Sequence, residues 1–362
     1  MKDIKDVRKE INQVDKDMAA LFEKRMNLSK EIALYKKERS IAIYDEIREN
    51  EIINKNKEYI QDEEIKEYYV NFIKDTMDIS KSYQEKIVNG IKVAYSGVAG
   101  AFAYVACKRL FPGAKYVSCS SFASAYKKVE EGICDTCILP LENSFAGDVG
   151  DVMDLVFNGS LYINRMYELE ISHNLIAKKG TKLEDIKTVI SHPQALEQCK
   201  DYIEAHKLNT IVCANTALAA KQVQESNDNT IAAIASIDTA DLYDLDVLEE
   251  SINTSKTNTT RFGVFSRILA KNNHVNQMGE HFILVFTVKN EAGALAKTLN
   301  IIGSHGFNMR NLRSRPMKGL MWNYYFFLEL EGNINTSDGN DMLCELQGVC
   351  DKLKLVGTYF LK

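Results

Sequence analysis

Near the amino terminus one cation stands where an apolar side chain is expected. Ile4, Val7, Ile11, Val14, Met18, Leu21, Leu28, Ile32 and Tyr35 recur at alternating three- and four-residue steps, which predicts one long packed helical seam. Arg25 fills the slot between Leu21 and Leu28. A guanidinium buried there is costly unless an anion pairs with it, so the position points to an internal anion site. Lys36 follows at a spacing that returns it to within about 20° of the same helix face and roughly 16 Å further along, so both cations can face one cavity. Arg8 differs, because it lies about 25 Å from Arg25 along a straight helix and roughly 100° round it. It is either a solvated surface charge or a group that enters the equivalent pocket of a second protomer.

Asp45, Arg48 and Glu49 fall at i, i+3 and i+4 of a second predicted helix and share a face, as surface ion pairs commonly do. A third helical stripe, Ile65, Tyr69, Ile73 and Thr76, continues through Ser80 and Gln84 before Ile87. That sets two neutral hydrogen-bonding groups inward, where they require partners. Further on, ILPLENSFAGDVGDV reads as a strand ending in Pro140 that then offers Glu142, Asn143 and Ser144 before Gly147. Open α/β sheets bind ligands at such carboxyl ends. SHPQALEQC sets His192 and Gln194 at a strand-to-helix junction, where capping is the plain reading. NTTRFGVF puts Thr260 and Arg261 in a β-branched strand, and AGALAK puts Gly293, Ala294 and Leu295 at the start of a helix, whose free N–H groups suit a carboxylate.

These groups need scaffolds of three kinds. Residues 1–88 are charged, free of Gly and Pro, and helical in period, and the boundary falls near Asn89 and Gly90. From 91 to 267 short apolar strands (KVAYSG, CDTCILP, TVISH, TIVCA, TIAAIAS) alternate with helical segments such as SFASAYKKVEEG and PQALEQCKDYIEAH, the pattern of an α/β domain. A polar linker, KNNHVNQMGE, leads to residues 281–362, which read strand, helix, strand, strand, helix, strand, the order of a ferredoxin-like βαββαβ unit. Trp322, in MWNYYFF, is expected in the core of an aromatic strand.

The 362 residues exceed what one core usually serves, and 45% hydrophobic content is enough to fill several. A net charge of -5 and a pI near 5.8 argue against nucleic acid and anionic membrane as partners, so any anionic ligand is held by local Arg and Lys. The start, MKDIKDVRKE, has no apolar leader, and no run is long enough to span a membrane, so a cytoplasmic location is expected. Cys134 and Cys137 form a single CxxC within an expected strand, which turns them to opposite faces, so they read as core thiols and no metal is expected. SGVAGAF is Gly-rich but matches no nucleotide-binding loop.

Residues 1–88 resemble the all-helical chorismate mutase family: VRKEINQVD supplies Arg8, EKRMNLSKEIALYKK supplies Arg25 and Lys36, YDEIREN supplies Asp45, Arg48 and Glu49, and MDISKSYQ supplies Ser80 and Gln84. The resemblance implies an intertwined dimer in which Arg8 crosses to the partner's site. It also implies the Claisen rearrangement of chorismate to prephenate, which uses no cofactor, covalent intermediate or proton transfer. Arg8, Arg25 and Arg48 would clamp carboxylates, Lys36 and Gln84 would donate to the ether oxygen, and Asp45 and Glu49 would orient the substrate hydroxyl.

Residues 91–267, with ENSxxG, HPQA, NTALAA and NTTRF in that order, resemble prephenate dehydratase. Thr260 would then assist departure of the ring hydroxyl as a hydrogen-bond donor, with Glu142, Asn143, Ser144 and Gln194 shaping a polar pocket and Arg261 pairing with a carboxylate. Residues 281–362 resemble an ACT domain, an amino-acid-sensing unit. Gly293, Ala294 and Leu295 with the SRP motif Ser314, Arg315 and Pro316 would bind L-phenylalanine as effector, and Arg313 stands where that family has Glu.

The leading reading is a multidomain bifunctional enzyme: an all-α helical domain, a two-lobed, periplasmic-binding-protein-like α/β domain and a ferredoxin-like ACT domain, assembled as a homodimer or homotetramer. Two alternatives stand beside it. One is a dehydratase with an inert helical dimerisation domain, against which Arg25 in the seam argues. The other is a non-catalytic amino-acid-binding regulatory protein, which fold alone does not exclude.

Overall fold

A computed structural model describes residues 2–360 except 40, 42, 256, 270–279, 320 and 321, so the expected linker lies outside the described residues up to Glu280. The chain forms two compact units, 1–92 and 93–362.

The first unit holds α1 (Ile4–Glu38), α2 (Glu46–Lys57) and α3 (Glu63–Asn89). Each begins at an aspartate, Asp3, Asp45 or Asp62, whose carboxylate accepts a backbone N–H of the first turn. Gly90, at φ +75°, ends α3 in a backbone conformation that side chains resist. The carboxyl-terminal half of α1 packs on α3 through the small buried residues Ser29 and Ala33, facing a stripe that includes Thr76, Met77, Ser80 and Gln84.

The predicted apolar seam of α1 is not packed within one chain. Ile11, Val14, Met18, Leu21, Leu28, Ile32 and Tyr35 are all exposed, Leu21 by 67%. The reason lies in the choice of face: close approach of α1 to α3 uses Ser29 and Ala33, which turns most of the large apolar side chains outward.

The second unit opens with a lobe made of β1 (Lys92–Ser96), α4 (Phe102–Leu110), β2 (Lys115–Cys119), α5 (Phe122–Glu130), β3 (Thr136–Asn143), β4 (Gly147–Asp148), α6 (Gly150–Asn158) and β5 (Tyr162–Glu170). The chain then crosses to a second lobe of β6 (Asn174–Ala177), β7 (Thr188–Ser191), α7 (Pro193–Gln198), α8 (Lys200–Ala205), β8 (Asn209–Val212), α9 (Thr216–Glu225), β9 (Ile231–Ala235), α10 (Ile237–Tyr243) and β10 (Asp246–Glu249). It returns to the first lobe as β11 (Thr259–Ser266). The second lobe carries its own five-stranded sheet, in the order β10-β6-β9-β7-β8. The helical segment expected after β7 is broken at Cys199, between α7 and α8.

The carboxyl-terminal module runs β12 (Glu280–Thr287), α11 (Ala294–Ser304), β13 (Asn308–Pro316), β14 (Tyr324–Glu331), α12 (Ser337–Gln347) and β15 (Lys352–Phe360). Its strand order, β13-β14-β12-β15, is that of a ferredoxin-like sheet, and β15 continues through β5 into the first lobe's sheet, β5-β11-β3-β1-β2. Gly357 permits that junction, because a Cβ there would sit 1.9 Å from the carbonyl oxygen of Ile163 on β5. Lys352 and Lys354 of β15 donate to the carbonyls of Phe157 and Val156 at the end of α6, where a helix dipole favours cations.

Two local expectations change. Trp322 is 73% exposed in a turn at φ +61°, not in a strand core, because β14 begins only at Tyr324. Cys134 and Cys137 are buried thiols outside any disulfide, as the core reading requires, but only Cys137 lies on β3. No helix among the described residues is long and apolar enough to cross a membrane.

Candidate active sites

In the helical unit, Arg25 turns toward α3: its Nη1 donates to the Ser80 hydroxyl and, at 3.3 Å, to the Thr76 carbonyl. Burial lowers its pKa, the expected direction for a cation drawn out of water. Gln84 is buried one turn beyond Ser80, and its Oε1 has no hydrogen-bond partner among the described residues. Lys36 is half-buried and donates to the Ile43 carbonyl at 2.6 Å. Glu49 on α2 pairs with Lys81 on α3 at 2.9 Å.

Asp45 is the N-cap of α2, not a residue of its first turn, and accepts from the Arg48 N–H. Arg48 is exposed and pairs with Glu51 at 2.9 Å. Arg8 is exposed on the amino-terminal half of α1, far along the helix from Arg25.

In the second unit a cavity of about 440 Å³ lies between the two lobes. Phe102, Phe122, Asn143 and Thr260 line it from the first lobe, and His192, Gln194, Asn215 and Thr216 from the second. His192 caps α7 and Asn215 caps α9, each accepting a backbone N–H. Asn143 and Thr260 are directly paired across β3 and β11, and the Asn143 Nδ2 donates to the Thr260 Oγ1 at 2.9 Å. That hydroxyl, already an acceptor, retains its own proton for a ligand in the cavity.

The same register turns Glu142 and Arg261 the other way, since neighbours on a strand point to opposite faces. Both were expected among the pocket residues, yet neither lines the cavity. Arg261 donates to buried Glu329 of the carboxyl-terminal module at 2.8 and 3.1 Å, and Glu142 accepts from Arg313 of that module. Ser144 is also absent from the lining: its hydroxyl donates to the Thr257 carbonyl and accepts from the Thr259 N–H, holding the loop before β11.

Comparison with known proteins decides the family. Residues 7–85 match the model of chorismate mutase type II and residues 93–268 that of prephenate dehydratase. The bifunctional chorismate mutase/prephenate dehydratase of Aquifex aeolicus is 30% identical over 366 residues, covering 99% of this chain and 98% of that protein. The chain belongs to this bifunctional family. Among solved structures, the prephenate dehydratase of Arthrobacter aurescens in complex with L-Phe is similar at 27% identity and TM-score 0.68, over 75% of this chain and 90% of that one. GqqA, described as a quorum-quenching acylase, is similar at 30% identity and TM-score 0.69, over 75% of this chain and 98% of that one.

In this member of the bifunctional family, the βαββαβ module presents Gly293 as the N-cap of α11, at φ +84° with no side-chain cap, followed by Ala294 and Leu295. Ser314 and Pro316 lie on the exposed side of β13, whereas Arg313 and Arg315 alternate to the side that meets the first lobe. Arg313 reaches Glu142 and Asp148, and Arg315 reaches Asp154 at 3.6 Å. Arg315 was expected beside the effector; alternation along β13 turns it to the dehydratase lobe instead. Among the cavity residues that sequence reading did not assign to the site are Phe102, Phe122, His173 and Gln198. Only the topology brings them together, although NTALAA already contained Asn215 and Thr216.

Proposed function

We infer that this chain carries out two successive steps of phenylalanine biosynthesis, rearranging chorismate to prephenate in the helical unit and converting prephenate to phenylpyruvate in the cavity beside Thr260. What carries the reading is that each compact unit holds its own inward-facing polar cluster, Arg25 with Ser80 and Gln84 in one, Asn143 with Thr260 in the other. The segments 1–88, 91–267 and 281–362 are taken as mutase, dehydratase and ACT domains.

The mutase step needs only electrostatics and conformation. Arg25, with Arg48 and the partner-derived Arg8, binds the two carboxylates, and Lys36 and Gln84 donate to the ether oxygen as its bond breaks. Asp45 and Glu49 orient the ring hydroxyl, and Ser80 holds the Arg25 guanidinium. In the dehydratase step carbon dioxide and the ring hydroxyl depart together and the ring becomes aromatic, so the site has to orient a carboxylate and hydrogen-bond a leaving hydroxyl. Thr260 supplies that hydrogen bond and Gln194 contributes a second polar contact. Neither step calls for a cofactor.

The exposed seam of α1 supports a homodimer or homotetramer in which a second copy covers Val14, Met18 and Leu21. L-phenylalanine acts as effector at the α11 amino terminus, with Ser314 and Pro316 nearby on β13, and the enzyme works in the cytoplasm. The test is to supply chorismate to the purified chain and follow prephenate and phenylpyruvate, with and without L-phenylalanine, and with an amide-linked acyl substrate as control for acylase chemistry. Arg25→Ala should lower prephenate formation at least about 100-fold while leaving dehydration of added prephenate intact, and Thr260→Ala should do the reverse. Loss of both activities in each variant overturns the two-site reading.

A further inference from the structure

Behind Thr260 runs a series of side chains that reaches the crossing between the lobes. The Asn143 Oδ1 accepts from the backbone N–H groups of Phe145 and Ala146 at 3.0 and 2.9 Å. Peptide nitrogens only donate, so Asn143 must face Asn258 and Thr260 with its NH2 group. Asn258 therefore accepts through Oδ1 at 2.8 Å and turns its own NH2 toward Gln198 Oε1, 3.0 Å away. Gln198 must then accept again from His173, at 2.8 Å, so the ring proton sits on Nε2.

The far end of this series is enclosed. His173, Gln198 and Asn258 are 2%, 6% and 3% exposed. His173 Nδ1 has no hydrogen-bond partner among the described residues, so a second proton on the ring finds no acceptor, and burial lowers the ring's pKa. His173 also stands where both crossings meet: its N–H donates to Asn253 Oδ1 and its carbonyl accepts from the Ile252 N–H.

We propose that His173 is a positioning residue of the dehydratase site: its Nε2–H locks the Gln198 amide, and through Asn258 and Asn143 holds the Thr260 hydroxyl with its proton directed into the cavity. The proposal rests on the dehydratase reading of that cavity. Without the His173 donor, Gln198, which itself lines the cavity, is held by Asn258 alone, and the buried support behind Asn143 and Thr260 loosens.

The test uses the full chain with added prephenate, and the chorismate-to-prephenate rate as a check on the helical unit. His173→Met removes the donor, whereas His173→Gln returns an N–H at the Nε2 position. Expected are a fall in kcat of about tenfold or more for His173→Met with KM within about twofold, and recovery to within about threefold for His173→Gln. Gln198→Met should match His173→Met, and the double variant should fall no further. Nitrogen-15 spectra of the intact chain at pH 7.5 should report the Nε2–H tautomer for His173, and they decide alone if the Met variants do not fold.

Unchanged kcat in His173→Met, equal loss in His173→Gln, a KM effect without a kcat effect, or an Nδ1–H tautomer would each overturn the proposal. Thr260→Ala separates the two levels. If it abolishes dehydration while His173→Met does not, the positioning role fails and the cavity assignment stands.

Discussion

Glu329 offers a direct measure of how the carboxyl-terminal module is tied to the dehydratase strand. Its carboxylate, only 3% exposed, accepts two bonds from Arg261 and one from the Tyr359 hydroxyl. Burial opposes its ionisation, but the bonds and charge of Arg261 outweigh that, and its pKa lies below the ordinary 4.5. Glu329→Leu would leave the Arg261 guanidinium buried with only the longer contacts to the Tyr359 hydroxyl at 3.4 Å, Glu168 at 3.5 Å and Glu142 at 3.8 Å. Breaking one side of a buried pair costs about 3–5 kcal/mol. For a unit of this size, losing about 2.1 cal/mol/K per residue on folding, that lowers Tm by about 5–9 °C.

Differential scanning calorimetry of the full chain reads this, with the helical unit's mutase rate as control. Arg261→Met/Glu329→Leu should recover most of the loss, because an apolar pair leaves no orphaned charge. The acid limb gives a second reading. The folded carboxyl is the stronger acid, so the unfolded chain binds more protons between the two pKa values. The pair's contribution is therefore complete above about pH 4.5 and disappears as pH falls through the folded value, and Glu329→Leu should flatten that limb. A Tm shift under about 2 °C for the single variant, or no recovery in the double, would refute this account.

Two further outcomes follow from packing. Gly357→Ala places a methyl against the Ile163 carbonyl and should destabilise the second unit by about 3 kcal/mol or more, seen as a lowered Tm with unchanged mutase rate. Met18→Asp with Leu21→Asp, on the exposed seam, should reduce the molecular mass measured by light scattering and lower the mutase rate with it; a mass unaffected by both charges would remove the seam from the assembly.

Much of the architecture was legible in residue order. The boundary at Asn89 and Gly90, the alternation of short strands with helices and the final βαββαβ order are local signals, and local signals survive in any tertiary context. Asn143, Gln194 and Thr260 were readable because each belongs to a short distinctive segment that ends at the cavity. The outward turn of Glu142 and Arg261 was readable in principle from strand alternation once Asn143 and Thr260 were assigned to the pocket.

Other features existed only in the folded chain. His173, Gln198 and Asn258 come from the two crossings and the helix between them, and no short motif joins them; pairing β11 with both β3 and β5 does. Likewise, period alone marks the apolar stripe of α1 but does not say what covers it, and α3 takes the side bearing Ser29 and Ala33. Sequence determined which residues share a face, because side-chain direction follows from local backbone period. Tertiary structure decided what each face meets, because that depends on strand partners and helix approach distances set by residues far away in the chain.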